Sequence, residues 1–280
     1  MSRYVGIWYN GSKDGVFETA ACLVRAIERA GAYPVMDGAL CRRIGHEAAC
    51  EDFAACEFLC VLGGDGTLLA ALDVALPLGL PLLGVNMGRV GYLSEVQPEN
   101  IERDVQRALS GESFIERRML LEASTSAGER GLALNEVSFN RAEGTVGILA
   151  LEMSAGGAVI DRLAGDGLVV ATATGSTAYS LSAGGPVVAP GLDCVLLTPI
   201  CSHTLHARPV VVSADQVVTV RVIDDRSRAH VLLDGRKPIS LPEGDPRVTI
   251  RRAEATAAFL RLEDRNFFDV LREKLSDWTH

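Results

Sequence analysis

Residues Glu57–Leu69 read EFLCVLGGDGTLL. Phe58–Leu62 is a short apolar run, the pattern of a buried strand. Gly63, Gly64, Asp65 and Gly66 follow, and Thr67 leads the apolar stretch Leu68–Leu76. Strand, glycine turn and helix in that order point to an α/β layer, in which ligands sit outside the carboxyl ends of strands. Glycine lets a phosphate approach the backbone, and a helix starting after Thr67 supplies N–H groups and a positive dipole end. Gly63, Gly64, Gly66 and Thr67 are therefore candidates for a phosphate loop around Asp65. Taken alone, the stretch reads equally well as a tight turn with a solvated Asp65 and Thr67 as N-cap.

The flanking sequence extends the pattern. Arg3–Tyr9 reads as a strand, then Phe17, Ala20, Ala21, Val24 and Ile27 repeat at helical spacing up to Gly31. Tyr33–Met36 is a candidate second strand, Pro81–Asn86 another, and Pro98–Leu109 a helix. Such alternation predicts a parallel sheet with helices on its faces. After Gly111 the texture becomes β-rich, with eleven expected strands from Met119–Ser124 to Ala257–Arg261, Gly131–Arg141 among them, joined as sequential hairpins. At the end, Asn266–Trp278 carries Phe267, Phe268, Leu271, Leu275 and Trp278, a docking face. The expected division is an α/β domain over 1–111, an all-β sandwich-like domain over 112–265, and a C-terminal helix, 266–280, returning to the first domain.

Composition bounds the function. The 280 residues are 48% apolar and 22% charged, which suits a globular chain. No run of about 18 apolar residues occurs, so no membrane association is expected. The N-terminus lacks a signal peptide's apolar region, and seven cysteines form no C-x-x-C pair. Both features predict a cytoplasmic protein with reduced thiols. A net charge of −9 argues against a nucleic-acid partner and requires any anion to be bound locally.

Two further constellations carry chemistry. Gly165–Pro186, GDGLVVATATGSTAYSLSAGGP, crowds Thr172, Thr174, Ser176, Thr177, Ser180 and Ser182 around Gly175, with Tyr179 offering a ring. Such a loop can hydrogen-bond sugar hydroxyls, phosphates or a base edge, or it can simply cap a helix. Asn135 and Glu136 sit in a β-forming run, LALNEVSF. An asparagine amide can pair with an adenine edge, and a glutamate can accept from two ribose hydroxyls. The plain alternative is a strand-end asparagine beside an exposed glutamate.

GGDGT at 63–67, NxGxxGYL at 86–93, Asn135-Glu136, DGL…TGSTAYSLSAGGP at 166–186 and TPIxxHTLxxRPVVV at 198–212 occur in the order found in NAD kinases, and the chain resembles that family over nearly its whole length. The resemblance implies NAD bound between the two domains. It implies transfer of a phosphoryl group from ATP or polyphosphate, with Mg²⁺ or another divalent metal, to the 2′-hydroxyl of the adenosine ribose. It also implies a homodimer or homotetramer. On the matching positions, Asp65 is the catalytic aspartate and Gly66 its binding neighbour. Asn135, Glu136, Asp166, Thr177, Ala178, Tyr179, Ser180, Leu181, Ser182 and Cys201 contact NAD. Gly63, Gly64, Gly66 and Thr67 form the phosphate-donor loop, and no protein side chain is assigned as a metal ligand.

Four positions depart from the family pattern. Ala173 replaces a proline and is expected to loosen its turn. Ala164 replaces a basic residue, with Arg162 the nearest substitute. Ser202 replaces a proline, and Arg236, included among the NAD contacts, replaces a glutamine. Arg89, Arg208, Arg236 and Lys237 are candidate phosphate-neutralising cations. His203 and His206 lack a third ligand and read as packing residues. GGDG alone is shared with lipid kinases and 6-phosphofructokinases. A lipid or sugar kinase and a non-catalytic dinucleotide-binding regulator therefore remain alternatives.

Overall fold

The computed structural model describes residues 2–47, 52–88, 91–142, 147–224, 228–263 and 266–277, with 275–277 described by backbone alone. Arg89 and Trp278 lie outside the described residues. The chain divides into two compact units, residues 1–117 with 257–280, and residues 118–256.

The first unit begins β1 (Tyr4–Tyr9), α1 (Val16–Arg29), β2 (Tyr33–Val35), α2 (Gly38–Ile44), β3 (Phe58–Gly63), α3 (Asp65–Leu78), β4 (Leu82–Asn86) and α4 (Ile101–Ser110). The strands pair in parallel in the order β2-β1-β3-β4. Ile7, Cys60, Leu62, Leu83 and Val85 share a core with Leu23 and Ile27 of α1 and Val105 of α4. The alternate residues of the strands are buried as well, and α3 covers that side. A Cβ on Gly84 would lie 2.9 Å from Leu68 Cδ1 of α3. Burial on both faces is why β3 reads as an unbroken apolar run rather than an alternation.

α3 starts earlier than its sequence suggests. Gly64 is the N-cap and Asp65 the first helical residue. Thr67 is neither cap nor open donor. Its side chain is buried, and a Cβ on Gly63 would come within 2.2 Å of Thr67 Oγ1. The absence of a side chain at Gly63 thus makes room for Thr67.

The second unit contains the greater part of β5 (Phe114–Thr125), then β6 (Arg130–Ala133), β7 (Glu136–Arg141), β8 (Leu149–Ala155), β9 (Ala158–Gly165), β10 (Gly167–Thr172), the short α5 (Tyr179–Ser182), β11 (Cys194–Ile200), β12 (Val210–Ser213), β13 (Val218–Val222), β14 (Ala229–Leu233) and β15 (Lys237–Ile239). One antiparallel sheet runs β12-β11-β10-β7-β14-β15. A second layer includes β13-β8-β9 and the β5–β6 pair. Phe139, Leu168, Val170 and Leu197 of the first layer meet Leu151, Met153, Val218 and Val220 of the second in one core, which makes a sandwich.

Two sequence expectations are corrected here. Gly131–Arg141 is not one strand; it breaks at Leu134-Asn135, whose N–H groups leave the ladder for a side chain described below. Nor are all neighbours sequential hairpins, because β7 lies between β10 and β14.

β16 (Arg247–Arg261) is one continuous strand where two were expected. Polar Arg251, Arg252 and Glu254 interrupt the apolar pattern without ending the extended backbone. The chain leaves the second unit at Thr256, and Phe259 then registers in parallel with Leu82 of β4. α6 (Phe267–Asp277) belongs to the first unit. Its partly buried stripe is Phe267, Val270, Leu271 and Lys274, at i, i+3, i+4 and i+7, while Phe268 points outward at 60% exposure.

Candidate active site

Asp65 occupies the first turn of α3, where the helix N-terminus favours a negative charge. Its Oδ2 accepts the Tyr92 N–H at 3.0 Å and its Oδ1 the Leu93 N–H at 3.2 Å. A Cβ at Gly91 would lie 2.2 Å from Asp65 Oδ1, so the 91–93 backbone closes on the carboxylate only because position 91 is glycine. The carboxylate still keeps 31% of its surface exposed. Gly64 and Gly66 have open space where a Cβ would be, so a ligand can reach their backbone.

The loop that holds Asp65 is itself anchored. Arg261 donates to Leu93 O at 2.9 Å and pairs with Glu95 at 3.2 Å and Glu116 at 2.7 Å. Glu95 Oε1 in turn accepts the Leu262 and Glu263 N–H groups. Asn86 donates to Gly88 O and Gln97, and its buried Oδ1 has no hydrogen-bond partner among the described residues.

In the second unit the loop after β10 folds onto Asn135 and Glu136. Asn135 O accepts the Thr172 N–H at 2.9 Å, and a Cβ at Gly175 would lie 2.0 Å from that same oxygen. Thr172 Oγ1 donates to Leu134 O and accepts the Gly175 N–H. From the other side, Asp234 accepts the N–H groups of Leu134, Asn135 and Glu136 at 2.9, 2.7 and 3.2 Å. Asp234 and Gly235 are both left-handed, at φ 49° and 64°, which is the turn that Asp-Gly favours between paired strands. That turn delivers the Asp234 carboxylate to the break between β6 and β7.

Glu136 is 5% exposed, and its Oε2 has no hydrogen-bond partner among the described residues. Burial, and secondarily the Asp234 charge, push its carboxyl up to about 7 against the pull of the Tyr179 N–H. The Tyr179 phenol is raised first by burial and then by Cys201, Glu136 and Asp166, three predicted residues whose charges act on it. Tyr179 O–H donates to Asn140 at 3.1 Å, and the residue is 38% exposed.

The other predicted residues divide. Asp166 is exposed between β9 and β10, 3.8 Å from Arg141. Gly165 and Gly167 on either side lie against the Ile200 and Phe139 carbonyls, with no room for a Cβ. Thr177, Ala178 and Leu181 are half-buried and Ser182 is exposed. Ser180 is turned inward and hydrogen-bonds Thr198, both fully buried. Cys201 is exposed and left-handed, at φ 43°, and lines a cavity of about 340 Å³ with Ser202, Thr204 and Arg208. Arg236 is exposed, and its charge lowers the Asp234 carboxyl against a larger upward push from burial.

The departures from the family pattern have local partners. Ala173 holds φ −58°, a value proline itself would impose, and its carbonyl accepts the Ser176 N–H, so the turn is kept without the ring. Ala164 bonds through its backbone to Ser202, His203 and Thr204. Arg162 pairs with Glu152 at 2.7 Å, so it does not replace the missing base near Asp166. His206 lies 3.5 Å from Asp161. Among the described residues, no three His, Cys, Asp or Glu side chains gather as a metal nest.

Sequence reasoning missed Asp234, Arg261 and Lys274. Asp234 carried a signal, since Asp-Gly between two apolar runs marks a tight turn. The partners of Arg261 and Lys274 are remote in sequence and left none.

Comparison with known proteins adds an independent line. Residues 5–113 match the ATP-NAD kinase N-terminal domain family, and residues 134–262 match the ATP-NAD kinase C-terminal domain family. The chain is 40% identical to the NAD kinase of Symbiobacterium thermophilum, covering 99% of each chain. It is 36% identical to that of Moorella thermoacetica, over 98% of this chain and 89% of the relative. Among solved structures it is similar to an NAD kinase from Archaeoglobus fulgidus in complex with ATP, at TM-score 0.78 and 29% identity, covering 96% of this chain and 99% of that one. A yeast NADH kinase complexed with NADH shares the fold at TM-score 0.83 and 20% identity, over 97% of this chain and 86% of that one. With both family domains matched and relatives of this identity along its whole length, the chain belongs to the NAD kinase family and is a kinase acting on NAD.

Proposed function

We propose that the chain transfers the terminal phosphoryl group of ATP to the 2′-hydroxyl of the adenosine ribose of NAD, with Asp65 taking the hydroxyl proton as the oxygen attacks. The observation that carries this reading is the state of the Asp65 carboxylate. Each oxygen is fixed by one backbone N–H, and the group remains 31% exposed. It is therefore oriented, yet keeps lone pairs for a substrate hydroxyl. Phosphoryl transfer asks the protein mainly for positioning and charge neutralisation, and a general base adds roughly 10²–10⁴-fold.

The open backbone at Gly64 and Gly66 receives the donor phosphates, and Asn135 and Glu136 receive adenine and ribose. Glu136 Oε2, which has no hydrogen-bond partner among the described residues, supports that assignment, because a buried carboxylate oxygen gains from a hydroxyl donor. Asp166, Tyr179 and Cys201 contact the rest of the dinucleotide. A divalent cation in this reading arrives with the donor phosphates, whose charge it neutralises. Use of polyphosphate, a homodimeric or homotetrameric state and a cytoplasmic setting are part of the same proposal and rest on the family resemblance alone. No helix among the described residues is long and apolar enough to cross a membrane.

The test is NADP formation from NAD with Mg·ATP, compared between the wild-type chain and Asp65→Asn. The expected result is NADP competent for a 2′-phosphate-specific dehydrogenase, with kcat lowered at least about 10²-fold in the variant while NAD still binds. Near-normal turnover in Asp65→Asn overturns the role of Asp65, and NAD binding without NADP from any donor overturns the reaction.

A further inference from the structure

α6 brings a cation to Asp65. Lys274 Nζ lies 3.7 Å from Asp65 Oδ2 and 3.9 Å from the centroid of the Tyr92 ring. Phe267, two helical turns earlier on the same face, sits 6.4 Å from the same ring. Tyr92 is thus gripped at two points by the helix, and its own N–H donates to Asp65. The lysine side chain is only 20% exposed, so it is held rather than free in solvent.

The separation matters. At 3.7 Å the ammonium neutralises Asp65 electrostatically but is too far for a hydrogen bond. The aromatic face beneath it stabilises the charge without accepting a conventional hydrogen bond. The ammonium therefore keeps donors for a ligand at the spot where Asp65 meets its substrate. Open Gly64 and Gly66 flank that spot, so the group best suited to it is a phosphate oxygen.

We propose that Lys274 is a phosphate-binding residue that pairs with Asp65 in the ligand-free protein and moves its charge to the transferring phosphoryl group of the donor. The inference rests on Asp65 being the residue that engages the ribose hydroxyl. Two consequences follow. The lysine offsets the repulsion between Asp65 and an incoming polyanion, and it opposes negative charge on the phosphoryl oxygens as the bond to the leaving group loosens. The C-terminal helix becomes part of the catalytic apparatus rather than only a closing element.

The experiment compares Lys274→Met, Lys274→Arg and Asp65→Asn in the full-length chain, measuring kcat, KM for ATP, KM for NAD and the thermal midpoint. Lys274→Met is expected to lower kcat/KM for ATP about 10²-fold, leaving KM for NAD and the thermal midpoint near wild type, with Lys274→Arg recovering much of the loss. Lys274→Met within twofold of wild type in kcat and KM for ATP, with Asp65→Asn inactive, overturns the role of Lys274 and spares that of Asp65. Equal loss in both Lys274 variants together with a lowered thermal midpoint assigns the lysine to packing and overturns the proposal. An active Asp65→Asn removes the reading on which it rests.

Discussion

Gly91 and Asp65 are so close that a methyl group at position 91 would sit 2.2 Å from the aspartate Oδ1. Neither residue can shift cheaply, because the N–H groups of Tyr92 and Leu93 hold the carboxylate immediately beyond the glycine. Gly91→Ala must therefore displace Asp65. A misplacement of about 1 Å costs roughly 10²-fold in turnover. Steady-state kinetics should show that loss in kcat, with the thermal midpoint lowered by only a few degrees.

The Glu136 carboxyl, raised to about 7 by burial and secondarily by the Asp234 charge, gives a pH dependence with a defined sign. A folded-state value above the unfolded one means that the native chain binds the extra proton, so stability falls as pH rises from the ordinary carboxylate range to about 7. The loss is on the order of 3 kcal/mol from this group. Glu136→Gln should remove most of it, making urea midpoints at pH 5 and pH 8 more alike than in the wild type. Binding runs the other way. Ionised Glu136 is the better acceptor for ribose hydroxyls, so KM for NAD should fall as pH rises through 7, and Glu136→Gln should flatten that trend.

Asp234 satisfies three successive backbone N–H groups at the break between β6 and β7. Asp234→Ala leaves them without that acceptor, at a cost of about 1–3 kcal/mol for each one that stays buried and unpaired. Chemical denaturation should show the destabilisation, and KM for NAD should rise more than KM for ATP because Asn135 and Glu136 lose their support.

Arg261 is paired with Glu95 and Glu116, and its side chain and that of Glu95 are 9% and 4% exposed. Arg261→Met leaves the buried Glu95 charge without its cation, which typically costs about 3–5 kcal/mol. Denaturant melts should register that loss. The second variant Glu95→Gln in the Arg261→Met background should recover part of it, since the stranded charge is then gone.

The sequence by itself determined the layering. Apolar runs ending in glycine or asparagine placed β3 and β4, and the helical repeat from Phe17 to Ile27 placed α1, because burial on one or two faces leaves a periodic trace in the chain. Asp65 and the Asn135-Glu136 pair stand out in the sequence, but taken singly each reads as well or better as a turn or strand-end residue, and only the ordered set of motifs singles them out. Tertiary structure decided what those residues can do. The break at Leu134-Asn135 is invisible in a run as β-forming as LALNEVSF, since the acceptor that takes its N–H groups, Asp234, lies about a hundred positions away. Ser180 reads like the other loop hydroxyls until Thr198 is found against it. Lys274 looks like a solvated surface charge until α6 lays it on Tyr92 and Asp65. Periodicity records whether a side chain is buried, but hydrogen bonds and ion pairs between remote positions leave no period, so the partners of each functional group appear only once the chain is folded.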